Sequence, residues 1–568
     1  MRIKRKTEEK KMSMSKNIAR LAVTAGLTAA LSFGGVMAPV TMAFAEGAAN
    51  GSVTINNASG NKTDFKGYKI FDANVAKDES GQTLVSNITW ANGKVESAVK
   101  DAITKIDPNA SIATAQDAAD WIKKQVVGTD DTTRVASYSA AYKIAAAVSA
   151  VTNLDDSGDY TATSNGVAKN LSHGYWLFVT DASTVTGVEA ATAPIFTVVG
   201  DEAVNIKEKT SIPTVDKEVK EGDTWGKVSD SQIGEEIEYK LTGTVADNIA
   251  TFDSYKYEFH DTLSKGLEVV KGPENTPKDF HVYIVNGDEK TAVKQDDSNG
   301  YKVTVARDNT TKKENLTVAF ADLKAVENAN GETITVDAKS SIVVTYKAKL
   351  NSDAEYTATG NTNEVKLVYS NDPISNGTGT STSKEVTDYV FGLDITKVEE
   401  GNKDKKLTAG FKVRVVNNGD SASTDKWLKN DGTLAETKEK AFEFMTDATN
   451  GEVSIPGLVK GTYEITETTT PSGYNTIAPF QITVTPTYDD ENGKLTNLAV
   501  SEDVEKVTPG TANGSVMSIT IENKKGSGLP LTGLNGVTFT WIAGGAVLCI
   551  GVAHLIRSRK QAEESEQE

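Results

Sequence analysis

The feature that most restricts the fold of this chain is a period of two. From about residue 211 to residue 525, short runs in which apolar and polar residues alternate (EYKLTGTV, YKYEFHD, SSIVVTYKAKL, EVKLVYS, YVFGLDITKV, MSITIENKK) are separated by clusters of Asn, Asp, Gly and Ser. Strand side chains point alternately to opposite faces, so each run lays one apolar face on a core, and many such runs in succession build sandwiches. Helical spacing is confined to the first third, in ASIATAQDAADWIKKQVV and SYSAAYKIAAAVSAV, among strands such as VTINN, YKIF and YWLFVT. The expected fold class is mainly β: tandem immunoglobulin-like β-sandwiches preceded by a mixed α+β domain.

A chain of 568 residues suits about three or four domains. The pattern divides it into a mixed domain over 46–210, a sandwich over 211–387 that opens at Ser211, Ile212 and Pro213, a second sandwich over 388–525, and a tail over 526–568 that begins with the tether Gly526, Ser527 and Gly528. The low-complexity run SNGTGTSTS is expected to be a mobile loop. No repeat at solenoid periods is present.

Parity also exposes polar residues where apolar ones belong. Leu393, Ile395 and Lys397 share a face, as do Tyr463, Ile465 and Glu467, and Ile519, Ile521 and Asn523. A lysine, a carboxylate and a carboxamide are thus expected inside one sandwich, where unpaired charge is costly and one shared explanation is economical. Desolvation lowers the pKa of a lysine and raises that of an acid, which makes the amine a nucleophile. Lys397 would attack the Asn523 amide carbon with help from protonated Glu467, and ammonia would leave. The second domain repeats the pattern, with Val215, Lys217 and Val219 on one face and Tyr255, Tyr257, Phe259, Asp261 and Leu263 on another. Asn363, Val365, Leu367, Tyr369 and Asn371 share one parity, so periodicity does not choose between the two asparagines. In the first domain Lys66 is in step with Tyr68 and Ile70, but no acid and amide stand out as its partners.

The two ends carry export signals. A basic stretch, MRIKRKTEEKKMSMSKNIAR, leads into LAVTAGLTAALSFGGVMAPV and the small-residue site Ala43, Phe44 and Ala45, which reads as a signal peptide over 1–45 cleaved after Ala45, with Met12 or Met14 as alternative starts. At the other end, Leu529, Pro530, Leu531, Thr532 and Gly533 precede GVTFTWIAGGAVLCIGVAHLI, an apolar stretch long enough for a transmembrane helix, and then Arg557, Ser558, Arg559 and Lys560, which fix that end in the cytoplasm. The only cysteine, Cys549, falls in this stretch, so the exported part forms no disulfide. A formal charge of -18 argues against nucleic-acid binding.

These motifs resemble those of Gram-positive sortase-assembled backbone pilins. The Leu529–Gly533 pentad before a span is similar to the wall-sorting (LPXTG) signal of that family, which implies cleavage by a sortase between Thr532 and Gly533 and transfer of the Thr532 carbonyl to an amine. TYEITETTTPSGY resembles the Y-x-x-x-E-x-x-x-P-x-G-Y box of the collagen-adhesin B-type repeat, with Glu467 as its acid, while DITKV and ITIENKK supply Lys397 and Asn523. PTVDKEV and HDTLSKGL resemble the A-type pilin sandwich, which implies a bond from Lys217 promoted by Asp261, with Asn363 preferred because it opens an N-x-V-x-L-x-Y strand and Asn371 the alternative. AVNIKEKTSIPTVDKEV resembles the motif V-x-V-Y-P-K that holds the acceptor lysine, which implies Lys209, or Lys207 as alternative, because Lys207 and Glu208 stand where the family has Tyr and Pro.

The implied molecule is a structural pilus subunit at the cell surface, anchored in the wall, whose partners are polymerising and housekeeping sortases, further copies of itself, minor pilins, peptidoglycan and host receptors. No cofactor and no metal are expected, and the isopeptide chemistry is a single turnover, so the chain is not expected to be an enzyme. The alternative is a monomeric wall-anchored adhesin or minor pilin that binds host matrix or glycan. A secreted wall enzyme fits less well: His173, His260, His281 and His554 form no ligand or triad spacing, and the acidic runs at Asp155, Asp156 and Asp159 and at Asp489, Asp490 and Glu491 lack calcium-loop spacing and read as turns.

Overall fold

The computed structural model describes residues 51–57, 62–77, 83–126, 131–154, 158–208, 210–273, 276–502 and 504–526. The expected signal peptide with Ala45, the expected sorting signal Leu529–Gly533, the apolar stretch after it, Asp155, Asp156 and Lys209 lie outside the described residues. Among the described residues no helix is long and apolar enough to cross a membrane.

The chain is mainly β, and its sheets fall into three successive groups. In the first, the strands Phe65–Lys77 and Gly174–Thr180 form the centre of a five-stranded sheet, and Gly51–Asn56 is the middle of a three-stranded one. Helices Gly93–Ile106, Ala115–Val126 and Asp131–Ser149 cover the larger sheet. Gly174–Thr180 is buried along its whole length because both faces are used. Tyr175, Leu177 and Val179 pack with the helices, and Trp176 and Phe178 with the small sheet. That explains an unbroken apolar run where a one-sided strand would alternate.

The helix Gly93–Ile106 was not expected from sequence. Its Asn92–Gly93 opening resembles a turn, but the Asn92 side chain accepts hydrogen bonds from the backbone N–H groups of Lys94 and Val95, both at 2.9 Å, and so caps the helix. Lys66 is in step with Tyr68, opposite Val179 and Leu177, but is not buried. A register shift between Lys69 and Phe71 interrupts the alternation. Lys66, which precedes the shift, keeps the face of Tyr68 but is half-exposed and pairs with Asp181 at 3.0 Å. The buried lysine is instead Lys69, which meets Asp72 and donates to Ser172 Oγ at 2.7 Å.

In the second group two seven-stranded sheets face each other across one core. One contains Val215–Glu221, Glu236–Thr244 and Ser340–Leu350; the other contains Tyr257–Leu263, Asn361–Asp372 and Lys384–Tyr389. The SNGTGTSTS run is not a free loop, because Gly377–Thr380 folds back as a strand on Asn361–Asp372. The Thr380 N–H donates to the Gly187 carbonyl of the first domain at 2.9 Å, so the hairpin is part of the junction between the two.

In the third group the first strand, Phe391–Glu399, lies parallel to the last, Val516–Asn523, and a seven-stranded sheet built on Gly410–Asn417 and Gly461–Thr469 packs over them. The second and third groups meet through Gln232, whose amide donates to the carbonyls of Gly432 at 2.6 Å and Gly457 at 2.7 Å. Asp230 accepts from the Lys460 N–H at 2.7 Å and from the Tyr488 hydroxyl at 3.0 Å. Gly457 has φ of +84°, and a Cβ there would stand 2.4 Å from the Gly432 carbonyl oxygen. Gly457→Ala is therefore expected to destabilise the third domain by about 1 to 3 kcal/mol, seen as a lower denaturation midpoint with an unchanged slope.

Candidate functional site: two buried lysine, acid and asparagine sets

Each sandwich contains polar side chains at the centre of its core. In the third domain Lys397, Glu467 and Asn523 are all nearly or wholly inaccessible. The parallel pairing puts Lys397 opposite Ile521 and Glu399 opposite Asn523, so the lysine side chain reaches forward to the asparagine within one sheet, and Glu467 comes down from the facing sheet. Lys397 Nζ meets Asn523 Oδ1 directly, and Asn523 Nδ2 donates to Glu467 Oε1 at 2.8 Å. The same oxygen lies 3.7 Å from Lys397 Nζ. The other carboxylate oxygen accepts from the Ile477 N–H at 2.9 Å, which fixes the acid's orientation. Burial pulls the Lys397 amine down to about 8, against the opposing pull of Glu467.

In the second domain the set joins the two sheets. Lys217 stands on the Val215–Glu221 strand and Asp261 on Tyr257–Leu263, next to Asn363, which pairs with Leu263. Lys217 Nζ donates to both Asp261 oxygens, at 2.6 and 2.7 Å. Burial drives the lysine down to about 8 and the Asp261 carboxyl above its ordinary range, while their mutual attraction opposes both shifts. Both shifts move the pair toward free amine and carboxylic acid, the forms that nucleophilic attack requires.

The two asparagines left open by parity lie in different surroundings. Asn363 is wholly buried beside the Lys217 set, and its Nδ2 donates to the Tyr346 hydroxyl at 2.7 Å. Asn371 sits at the junction with the first domain, where its Nδ2 donates to the Glu189 carbonyl at 3.0 Å and its own backbone carbonyl accepts from the Ala191 N–H at 2.9 Å. Tyr346 belongs to the site and was missed. It occupies the buried parity of Ser340–Leu350 with Ile342, Val344 and Ala348, and nothing in the pattern separates it from an ordinary core aromatic.

Of the two acceptor candidates, Lys207 ends the strand Ala203–Lys207 and is exposed, while Val204 and Ile206 pack against the small sheet of the first domain. Glu208, which replaces a proline of the resembled motif, is buried and accepts from Asn57 Nδ2 and Thr63 Oγ1, both at 3.2 Å. His173 pairs with Asp201 and His260 with Glu258, each at 2.8 Å. Asp489 caps its own turn, and Asp159, in a bend, accepts from Asn92 Nδ2 at 3.1 Å and so meets the N-cap residue of the first helix.

Residues 379–497 match the SpaA family model, described as a prealbumin-like fold domain. That stretch covers most of the third domain and includes Lys397 and Glu467. No curated protein is matched by the chain. Among solved structures, the T6 backbone pilin of serotype M6 Streptococcus pyogenes aligns with 84% of this chain and 98% of its own at 15% identity and a TM-score of 0.48. The major pilin SpaD of Corynebacterium diphtheriae aligns over 84% and 98% at 16% identity and a TM-score of 0.42. The group B streptococcus pilus 2b backbone protein aligns over 55% and 99% at 21% identity and a TM-score of 0.38.

Proposed function

We propose that the chain is the backbone subunit of a covalently polymerised pilus anchored in the wall of a Gram-positive bacterium. A polymerising sortase cleaves between Thr532 and Gly533 and passes the Thr532 carbonyl to Lys209 of the next copy, with Lys207 as the second candidate. A housekeeping sortase passes the last carbonyl to peptidoglycan, and minor pilins join the same fibre. Two internal isopeptide bonds, Lys217 to Asn363 and Lys397 to Asn523, stiffen each subunit. One observation carries this reading: in two successive sandwiches a fully buried lysine shares a hydrogen-bonded set with a buried carboxylate and a buried asparagine.

The chemistry follows from burial. A proton moves from the Lys397 ammonium to Glu467, the free amine attacks Asn523 Cγ, and the new C–N bond forms as the old one breaks and ammonia leaves. Glu467, within reach of both nitrogens, carries the proton from one to the other. A buried ion pair alone stabilises little, whereas a covalent bond removes the charges altogether. Nothing in the set turns over a second time, so the chain acts once on itself.

Intact-mass measurement of residues 46–528 should show two losses of about 17 Da each, one per ammonia, mapped by peptides to the two pairs. Wall extracts of cells that express the chain with its sortase should give a ladder on denaturing gels, and substitution of the acceptor lysine should collapse it. A single wall-bound species that neither Lys209→Ala nor Lys207→Ala alters would instead point to a monomeric adhesin.

A further inference from the structure

The two sets differ in how the acid reaches the amide. In the third domain Glu467 Oε1 accepts directly from Asn523 Nδ2. In the second, Asp261 is engaged with Lys217 and with the Tyr346 hydroxyl, and Asn363 Nδ2 donates to that same hydroxyl at 2.7 Å. Lys217 Nζ lies 3.2 Å from it. Asn363 Oδ1 has no hydrogen-bond partner among the described residues, so Tyr346 is what holds the amide in the set.

We propose that the Tyr346 hydroxyl is a proton relay between Asp261 and the departing nitrogen of Asn363. This rests on the isopeptide reading above and adds a residue to it. Tyr346 is wholly buried and stacked on Tyr239, with ring centroids 5.4 Å apart and planes at 15°, and Lys217 Nζ lies 5.6 Å from its ring centroid. The ring is thereby held in one position. Burial, then the neighbouring Asp261 charge, push the phenol well above its ordinary pKa, so it stays protonated and exchanges one proton for another without ionising.

The steps balance. Lys217 gives one proton to Asp261 and attacks Asn363 Cγ with its lone pair. Asp261 passes that proton to Tyr346 while the Tyr346 proton moves to Asn363 Nδ2. The C–N bond to that nitrogen breaks, ammonia leaves, and the nitrogen of the new amide returns a second proton to Asp261. The hydroxyl ends as it began.

The test follows bond formation in the full ectodomain, residues 46–528, by intact mass and peptide mapping at successive times after synthesis. In Tyr346→Phe the Lys217–Asn363 bond is expected to form roughly 10-fold or more slowly, the loss of one general acid–base group. The Lys397–Asn523 bond, which has no such tyrosine, should form at the wild-type rate in the same molecules. Complete second-domain bonding in Tyr346→Phe at the earliest time overturns the relay. Where that variant fails to fold, as judged by circular dichroism, replacement of Tyr346 by 3,5-difluorotyrosine decides. It keeps the ring and the hydroxyl but makes the phenol more acidic, so a relay changes the bonding rate several-fold, and an unchanged rate in a folded protein reduces Tyr346 to packing. A wild-type chain with no second-domain mass loss overturns the isopeptide reading itself, and the relay with it.

Discussion

Glu467→Ala is expected to leave the third domain without its cross-link while the second keeps its own. Lys397 and Asn523 would still be buried together, but no group would take the lysine proton or deliver it to the departing nitrogen. The mass deficit of residues 46–528 should fall from two ammonia losses to one, with the missing loss at Lys397 and Asn523. The stability effect is large because the two residues are 126 apart in sequence. In the chain-entropy model a cross-link closing a loop of that size is worth about 5 kcal/mol. For a domain of this size that corresponds to a fall in melting temperature on the order of 15 to 25 °C, before the cost of a buried lysine without its acid is added. Glu467→Gln should behave alike, since it preserves volume but carries no proton between the nitrogens. A variant that retained the Lys397–Asn523 bond would remove Glu467 from the chemistry.

Asp388→Asn is expected to flatten the dependence of stability on pH. Asp388 lies in the strand Lys384–Tyr389, part of a sheet of the second group, and is wholly inaccessible. One oxygen accepts from the Ser229 and Ser231 hydroxyls, both at 2.9 Å, and the other has no hydrogen-bond partner among the described residues. Burial pushes its carboxyl well above the usual range, and the nearby Asp230 and Glu235 add to the shift. Those two are raised by burial as well, and Glu221 is pushed up to about 7 by burial and by Asp230.

A raised carboxyl holds a proton in the folded state that the unfolded chain has released. The stability it contributes is therefore complete below the unfolded pKa near 4 and is lost as pH rises through the folded values. The junction of the second and third domains should weaken from about pH 4 to beyond pH 7. The carboxamide of the variant would stay neutral throughout, so Asp388→Asn should match the wild type in acid and exceed it at pH 8, by melting temperature across that range. An equally steep slope in the variant would show that Asp388 does not titrate in this window.

The third-domain set was legible in the sequence because a period of two leaves no freedom. Once Ile395 and Ile519 face the core, Lys397 and Asn523 must follow, and Glu467 follows Ile465. The same rule was silent where tertiary placement decides. Asn363 and Asn371 have equal parity, and only tertiary placement separates them, Asn363 beside Lys217 and Tyr346 and Asn371 against the first domain. Tyr346 was hidden because a buried tyrosine among Val and Ile is ordinary, and its role depends on residues 85 positions before it and 17 after. Lys66 pairs with Asp181 outside the core, Asn92 caps a helix through backbone N–H groups, and a run of small polar residues found strand partners through its backbone. In each case the deciding contact is distant in sequence or made by atoms common to every residue.

The parallel pairing of Phe391–Glu399 with Val516–Asn523 also governs how the third domain carries a load. The chain enters at one end of the pair and leaves at the other, so a pull on the ends slides the two strands along each other and loads all their hydrogen bonds together. With Lys397 bonded to Asn523 as proposed, the pull crosses at that point, and the 126-residue separation between them drops out of the force path. At about 3.4 Å per residue this withholds roughly 430 Å of contour length. A fibre of such units would keep its length even where a sandwich had melted, so heat and traction would test different parts of the same molecule.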